Sequence, residues 1–105
     1  AGLMFHYVKT FIVLLMLLIC RETNAAKLFG KITNEKNQPL PFANIYIKGT
    51  TTGTTSNEEG NYNIELKEGV YDIVYHYIGY KKQAINIHML IIDVEQNVVL
   101  SEEEL

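Results

Sequence analysis

The sequence predicts an all-β sandwich preceded by a signal peptide. Three observations carry this. Short runs alternate apolar and polar residues, as in Ala43, Ile45 and Ile47 against Asn44, Tyr46 and Lys48. Turn-forming residues separate these runs at regular spacing. One long apolar run, Phe11-Ile12-Val13-Leu14-Leu15-Met16-Leu17-Leu18-Ile19, lies near the start behind Lys9. Period-two alternation marks a strand with one buried face. Short strands at regular spacing indicate a sandwich or barrel.

The chain has 105 residues, enough for one domain. A positive charge followed by a short apolar run is a secretory signal pattern, and the run is shorter than the roughly 20 residues that a spanning helix needs. Thr23-Asn24-Ala25 places small residues where a signal peptidase cuts, so cleavage is expected after Ala25. Attachment through a lipidated Cys20 is the less favoured alternative, because the bulky Ile19 precedes that cysteine. Cleavage after Ala25 leaves no cysteine, so a β core alone must hold about eighty residues together.

Beyond the leader, Leu28-Phe29-Gly30-Lys31-Ile32-Thr33 reads as a first strand. The polar turn Asn34-Glu35-Lys36-Asn37-Gln38-Pro39 ends it. Pro41 stands at the entry of the second strand, where proline is tolerated. Thr54-Thr55-Ser56 reads as a short third strand. Gly60 supplies the turn into Tyr62-Asn63-Ile64-Glu65-Leu66, and Lys67-Glu68-Gly69 connects to Tyr71-Asp72-Ile73-Val74-Tyr75-His76-Tyr77. These two strands are expected to form a hairpin. Gly79 breaks the strand, a further strand runs from Lys81 to Ile87, and Val98-Val99-Leu100 is the last. Ile45, Ile64 and Ile73 are expected in the core. Met89-Leu90-Ile91-Ile92 is apolar without alternation and is expected to be a bulged, buried strand, with an exposed apolar patch as the less favoured alternative.

The composition excludes several function classes. A net charge of −3 leaves no basic footprint for nucleic acid. His6, His76 and His88 show no zinc-ligand spacing. Aligning Gly60 with the invariant glycine of a calcium loop puts Thr55 and Leu66 where carboxylates belong. The Gly49-Thr50-Thr51-Thr52-Gly53-Thr54-Thr55 run lacks the ending of a phosphate-binding loop. No catalytic residue, metal or cofactor is therefore expected.

The runs Leu40-Pro41-Phe42-Ala43-Asn44-Ile45, Lys48-Gly49-Thr50, Asn57-Glu58-Glu59-Gly60-Asn61-Tyr62, Gly69-Val70-Tyr71 and Tyr77-Ile78-Gly79-Tyr80 together resemble the carboxypeptidase-regulatory-like domain. The resemblance covers about Leu28 to Leu100. It implies a seven-stranded, transthyretin- or Ig-like β-sandwich. Such domains are found at the N-terminus of outer-membrane proteins of Bacteroidetes-type bacteria, including TonB-dependent receptors. The family has a shorter, polar connection where Met89-Leu90-Ile91-Ile92 stands. In metallocarboxypeptidases with a similar domain, zinc and catalytic residues lie in a separate domain, so the resemblance implies no peptidase activity.

The expectation is an exported, non-catalytic docking or spacer module in the periplasm or at the outer membrane. Its partner would be a protein or a downstream barrel domain. Residues 1–25 would be the signal peptide, 26–101 the sandwich and 102–105 an acidic tail or linker to a further domain. The candidate interaction surface comprises Tyr46, Lys48, His76, Met89 and Leu90. The alternative is a carbohydrate- or peptide-binding module using the aromatic face of Tyr75, Tyr77 and Tyr80.

Overall fold

The computed structural model describes residues 7–12, which are helical, and residues 25–104. Of the Thr23-Asn24-Ala25 triplet only Ala25 is among the described residues, and Cys20 lies outside them. Eight strands follow: β1 (Ala25–Asn34), β2 (Asn44–Ile47), β3 (Gly53–Thr55), β4 (Asn61–Lys67), β5 (Gly69–His76), β6 (Gln83–Met89), β7 (Val94–Glu95) and β8 (Val98–Leu100). They form two sheets. In one, β1 is central, with β4 antiparallel on one side and β7 then β8 parallel along the other. The other is antiparallel, in the order β3-β2-β5-β6.

Alternation decides which side chains meet between the sheets. Leu28 and Ile32 of β1, Tyr62, Ile64 and Leu66 of β4, Ile45 of β2 and Ile73 and Tyr75 of β5 are all buried in one cluster. The expected core positions Ile45, Ile64 and Ile73 are among them.

Two turns share one design. Asn34 and Asn57 each accept two backbone N–H groups on Oδ1, from Lys36 and Gln38 and from Glu59 and Asn61. The fourth residue of each turn, Asn37 or Gly60, has positive φ and returns its N–H to the asparagine carbonyl. Asparagine and glycine are the residues that enter this region most readily. At Gly60 a Cβ would also stand 2.6 Å from the Ile32 carbonyl oxygen, so asparagine would not serve there.

Three expectations are corrected. The strands around Ile64 and Ile73 form no hairpin: β4 pairs with β1, β5 pairs with β2 and β6, and Lys67-Glu68-Gly69 passes between the sheets. Alternation specifies an inward face, not a neighbour. The seven expected strands become eight through the two-residue β7. The Met89-Leu90-Ile91-Ile92 run is not a buried strand. Met89 ends β6 in the core, whereas Leu90, Ile91 and Ile92 are 45%, 68% and 67% exposed in the loop before β7.

The change of partner along β1, from β7 to β8, requires a glycine. Between the two pairings the backbone of Gln96 crosses over Gly30. A Cβ on Gly30 would collide with the Gln96 carbonyl. Gln96 N–H bonds the Phe29 carbonyl at 2.8 Å, and Asn97 Oδ1 accepts Lys31 N–H at 2.9 Å. These bonds fasten the crossing in place.

Candidate functional site

The outward face of the β3-β2-β5-β6 sheet gathers two of the residues singled out in the sequence. Tyr46 lies opposite Val74 and His76 opposite Asn44, so both project on the side away from the core. Val74 is only 7% exposed yet stands outside the core cluster. Its cross-strand neighbours are the half-buried Tyr46 and the small Ala84. On the other side of Tyr46, Gly53 lets β3 come close: a Cβ there would sit 2.8 Å from that of Tyr46. Tyr46 thus stands in a row of small or low side chains, at the rim of a shallow concavity lined by Asn44, Gly53 and Thr55. This surface offers an aromatic ring, amide groups and an imidazole, the ingredients of a polar protein contact.

The other named residues divide. Lys48 follows β2 in a turn, where its N–H bonds the Asp72 carbonyl at 2.9 Å, and its side chain is exposed. Leu90 is exposed beyond the end of β6. Met89 must be withdrawn from the candidate surface. It follows Ile85 and Ile87 at the inward parity of β6 and is 0% exposed.

The aromatic face does not form as drawn. Tyr75 is fully buried and its hydroxyl lies 2.7 Å from that of Tyr62. Tyr62 donates to the Gln96 carbonyl at 2.7 Å, so Tyr75 is the donor to Tyr62. The rings meet edge to face at 5.5 Å. Burial pushes both hydroxyls above the ordinary tyrosine range, and for Tyr62 the bond with Tyr75 adds to the rise. Tyr77 and Tyr80 pack edge to face beside the core, half-buried. These rings have structural partners already.

Sequence reasoning missed Phe42, which is 65% exposed and has φ of +60°. Pro41 and Phe42 form the middle of a turn whose opening is filled by the buried Ser56. Its hydroxyl donates to the Leu40 carbonyl at 2.7 Å and accepts Ala43 N–H at 2.8 Å. The Pro41-Phe42 pair is the available signal: proline suits the first central position of a turn whose second central residue has positive φ. Glycine is the usual occupant of that second position, so a bulky residue there is an outlier. Among the described residues no group of three His, Cys, Asp or Glu side chains could hold a metal ion.

The comparisons with known proteins follow the same outline. TonB-dependent receptor P3 of Formosa agariphila is 36% identical over 74 residues, 65% of this chain but 7% of the receptor. TonB-dependent receptor SusC of Bacteroides thetaiotaomicron is 32% identical over 74 residues, 70% of this chain and 7% of the receptor. The chain therefore spans a small fraction of these relatives. Among solved structures, a chain from a type II cohesin–X-dockerin complex of Acetivibrio cellulolyticus superposes with a TM-score of 0.61 at 18% identity, over 71% of this chain and 56% of that one. That likeness concerns the sandwich fold alone. The family model described as CarboxypepD_reg-like domain matches residues 28–105, nearly the whole two-sheet unit, and the chain belongs to that family.

Proposed function

We propose that this chain is a non-catalytic docking or spacer module at the N-terminal side of a TonB-dependent receptor or similar barrel protein. The carrying observation is the pair of receptor relatives, each matched over a small fraction of its own length. In this reading residues 1–25 are a signal peptide, residues 26–101 fold in the periplasm and residues 102–105 lead toward an outer-membrane barrel. The contact surface is the outward face around Tyr46 and His76, with Lys48 at its margin and Leu90 beyond the far end of β6. An exposed tyrosine supplies contact area at low entropic cost.

The test uses the receptor that carries this segment. Deleting residues 26–101 should leave the barrel in the outer membrane and lower uptake of its substrate. Tyr46→Ala should lower uptake too, without loss of fold by circular dichroism. Unchanged uptake in the deletion overturns the docking role. Loss of uptake only in the deletion moves the contact surface away from Tyr46.

A further inference from the structure

The sandwich leaves one long strand edge unguarded. β3, β7 and β8 are edge strands of three residues or fewer. β4 is long, but carries the outward charges Glu65 and Lys67. β6, Gln-Ala-Ile-Asn-Ile-His-Met, has seven residues with no proline, glycine, acidic residue, lysine or arginine. Among the described residues no strand pairs with its free side. Exposed edges are ordinarily blunted by charge, proline, a bulge or shortness, and an edge without these pairs readily with another strand.

The backbone fixes which groups face that open edge. Lys48 N–H bonds the Asp72 carbonyl, so the main chain of Asp72 is directed toward β2. Asp72 lies opposite Asn86 across β5 and β6. In an antiparallel ladder, that pair is then a non-hydrogen-bonded one. Its side chains stand close, and Asn86 Nδ2 bonds Asp72 Oδ1 at 2.9 Å. Asn86 therefore turns its N–H and C=O outward, away from β5. By alternation Ala84 and His88 do the same.

We infer that β6 is a self-pairing edge, joining antiparallel to β6 of a second copy about a two-fold axis at Asn86. This register places Asn86 against its own counterpart and Ala84 against His88, so every outward backbone group of these three residues finds a partner. It also places the half-buried Ile85 against Ile87 on the inward side, extending the apolar layer. No like-charged lysine or carboxylate pair faces itself within the strand. Beyond it, Leu90 and Ile91 of one copy run beside Lys82 and Lys81 of the other, whose alkyl stems can cover exposed apolar surface. A second copy is favoured over an unrelated strand because the edge complements itself residue for residue. The inference is independent of the receptor reading.

The test is carried out on the full chain with Cys20→Ser as background. Sedimentation across a range of concentrations should show a monomer–dimer equilibrium. Asn86→Cys should give a disulfide-linked dimer on mild oxidation, because directly opposed residues of a hydrogen-bonded pair lie about 5.5 Å apart, within disulfide reach. Asn63→Cys, on the exposed side of β4, should not. Asn86→Lys sets like charges opposite each other while keeping an amino group near Asp72. It should abolish the dimer and leave the circular dichroism spectrum unchanged, with a urea midpoint equal to that of the unsubstituted chain at concentrations where the latter is monomeric. A monomer at every concentration, equal crosslinking of both cysteine variants, or a dimer indifferent to Asn86→Lys overturns the inference.

Discussion

Gly30→Ala tests whether the crossing from β7 to β8 depends on its close approach to β1 at Gly30. The new methyl group would meet the Gln96 carbonyl and stand 3.1 Å from Asn97 Oδ1. Backbone carbonyl and carbon cannot yield as a flexible side-chain end would, so the crossing must lift. Lifting it breaks the Gln96–Phe29 backbone bond and takes the Gln96 carbonyl away from the Tyr62 hydroxyl. The backbone bond contributes about 1 kcal/mol, and the buried hydroxyl left without its acceptor costs about 1–3 kcal/mol. Lower entropy of the unfolded alanine chain offsets about 0.4–1 kcal/mol. The expected loss is therefore about 1–3.5 kcal/mol, conspicuous in a domain whose total is on the order of 5–10 kcal/mol. Urea denaturation of wild type and variant measures it. In a Tyr62→Phe background the same substitution should cost about 1–3 kcal/mol less, because no hydroxyl is left to be stranded. A loss under about 0.5 kcal/mol, the range of ordinary surface changes, would refute the argument.

The Tyr62–Tyr75 pair predicts an alkaline limit. Both hydroxyls are held above the ordinary value of 10.0 by burial, so the folded state binds these protons more tightly than the unfolded chain. Their contribution is intact below that pH and is lost as pH rises beyond it. Urea midpoints should begin to fall as pH rises past about 10 and keep falling above it, and less steeply in Tyr62→Phe. At Phe42, relief of left-handed strain gains about 1–2 kcal/mol while the freer unfolded glycine costs roughly 0.5–1 kcal/mol, so Phe42→Gly should be neutral to slightly stabilising in a thermal melt. Ser56→Ala strands the Leu40 carbonyl and the Ala43 N–H, and should cost about 1–3 kcal/mol by chemical denaturation.

What the sequence revealed follows from what alternation encodes. It assigns faces, and so it found Ile45, Ile64 and Ile73 inside and Tyr46 and His76 together on the outward face. It does not encode neighbours, and so β4 and β5, adjacent in sequence and alike in pattern, read as a hairpin although they belong to different sheets. β7 was invisible because two residues carry no period. The Met89-Leu90-Ile91-Ile92 run hid its own boundary: parity counted from Ile85 and Ile87 puts Met89 inside, but the three residues after it are equally apolar and no polar or turn residue marks where the strand stops. Phe42 was hidden because its exposure follows from a turn geometry and a buried serine fourteen positions later in the chain.

The self-pairing edge and the Tyr46 face have a geometric relation that makes them jointly testable. Asn86 projects from the same side of its sheet as Asp72, Val74 and Tyr46. A two-fold axis through opposed Asn86 residues is perpendicular to the sheet and leaves that side on the same side in both copies. The paired sheets then run as one, with two Tyr46 faces directed the same way. Two such faces engage a two-fold partner with the second contact made intramolecularly, so overall binding can exceed that of one face by about 10²–10⁴ without a new contact. Asn86→Lys, outside the Tyr46 concavity, should then weaken association with a two-fold partner while a one-site contact keeps its affinity. Tyr46→Ala should weaken both. If instead Asn86→Lys dissociated the copies and left binding to a two-fold partner unchanged, the two faces would be acting separately, and pairing at β6 would not contribute to that contact.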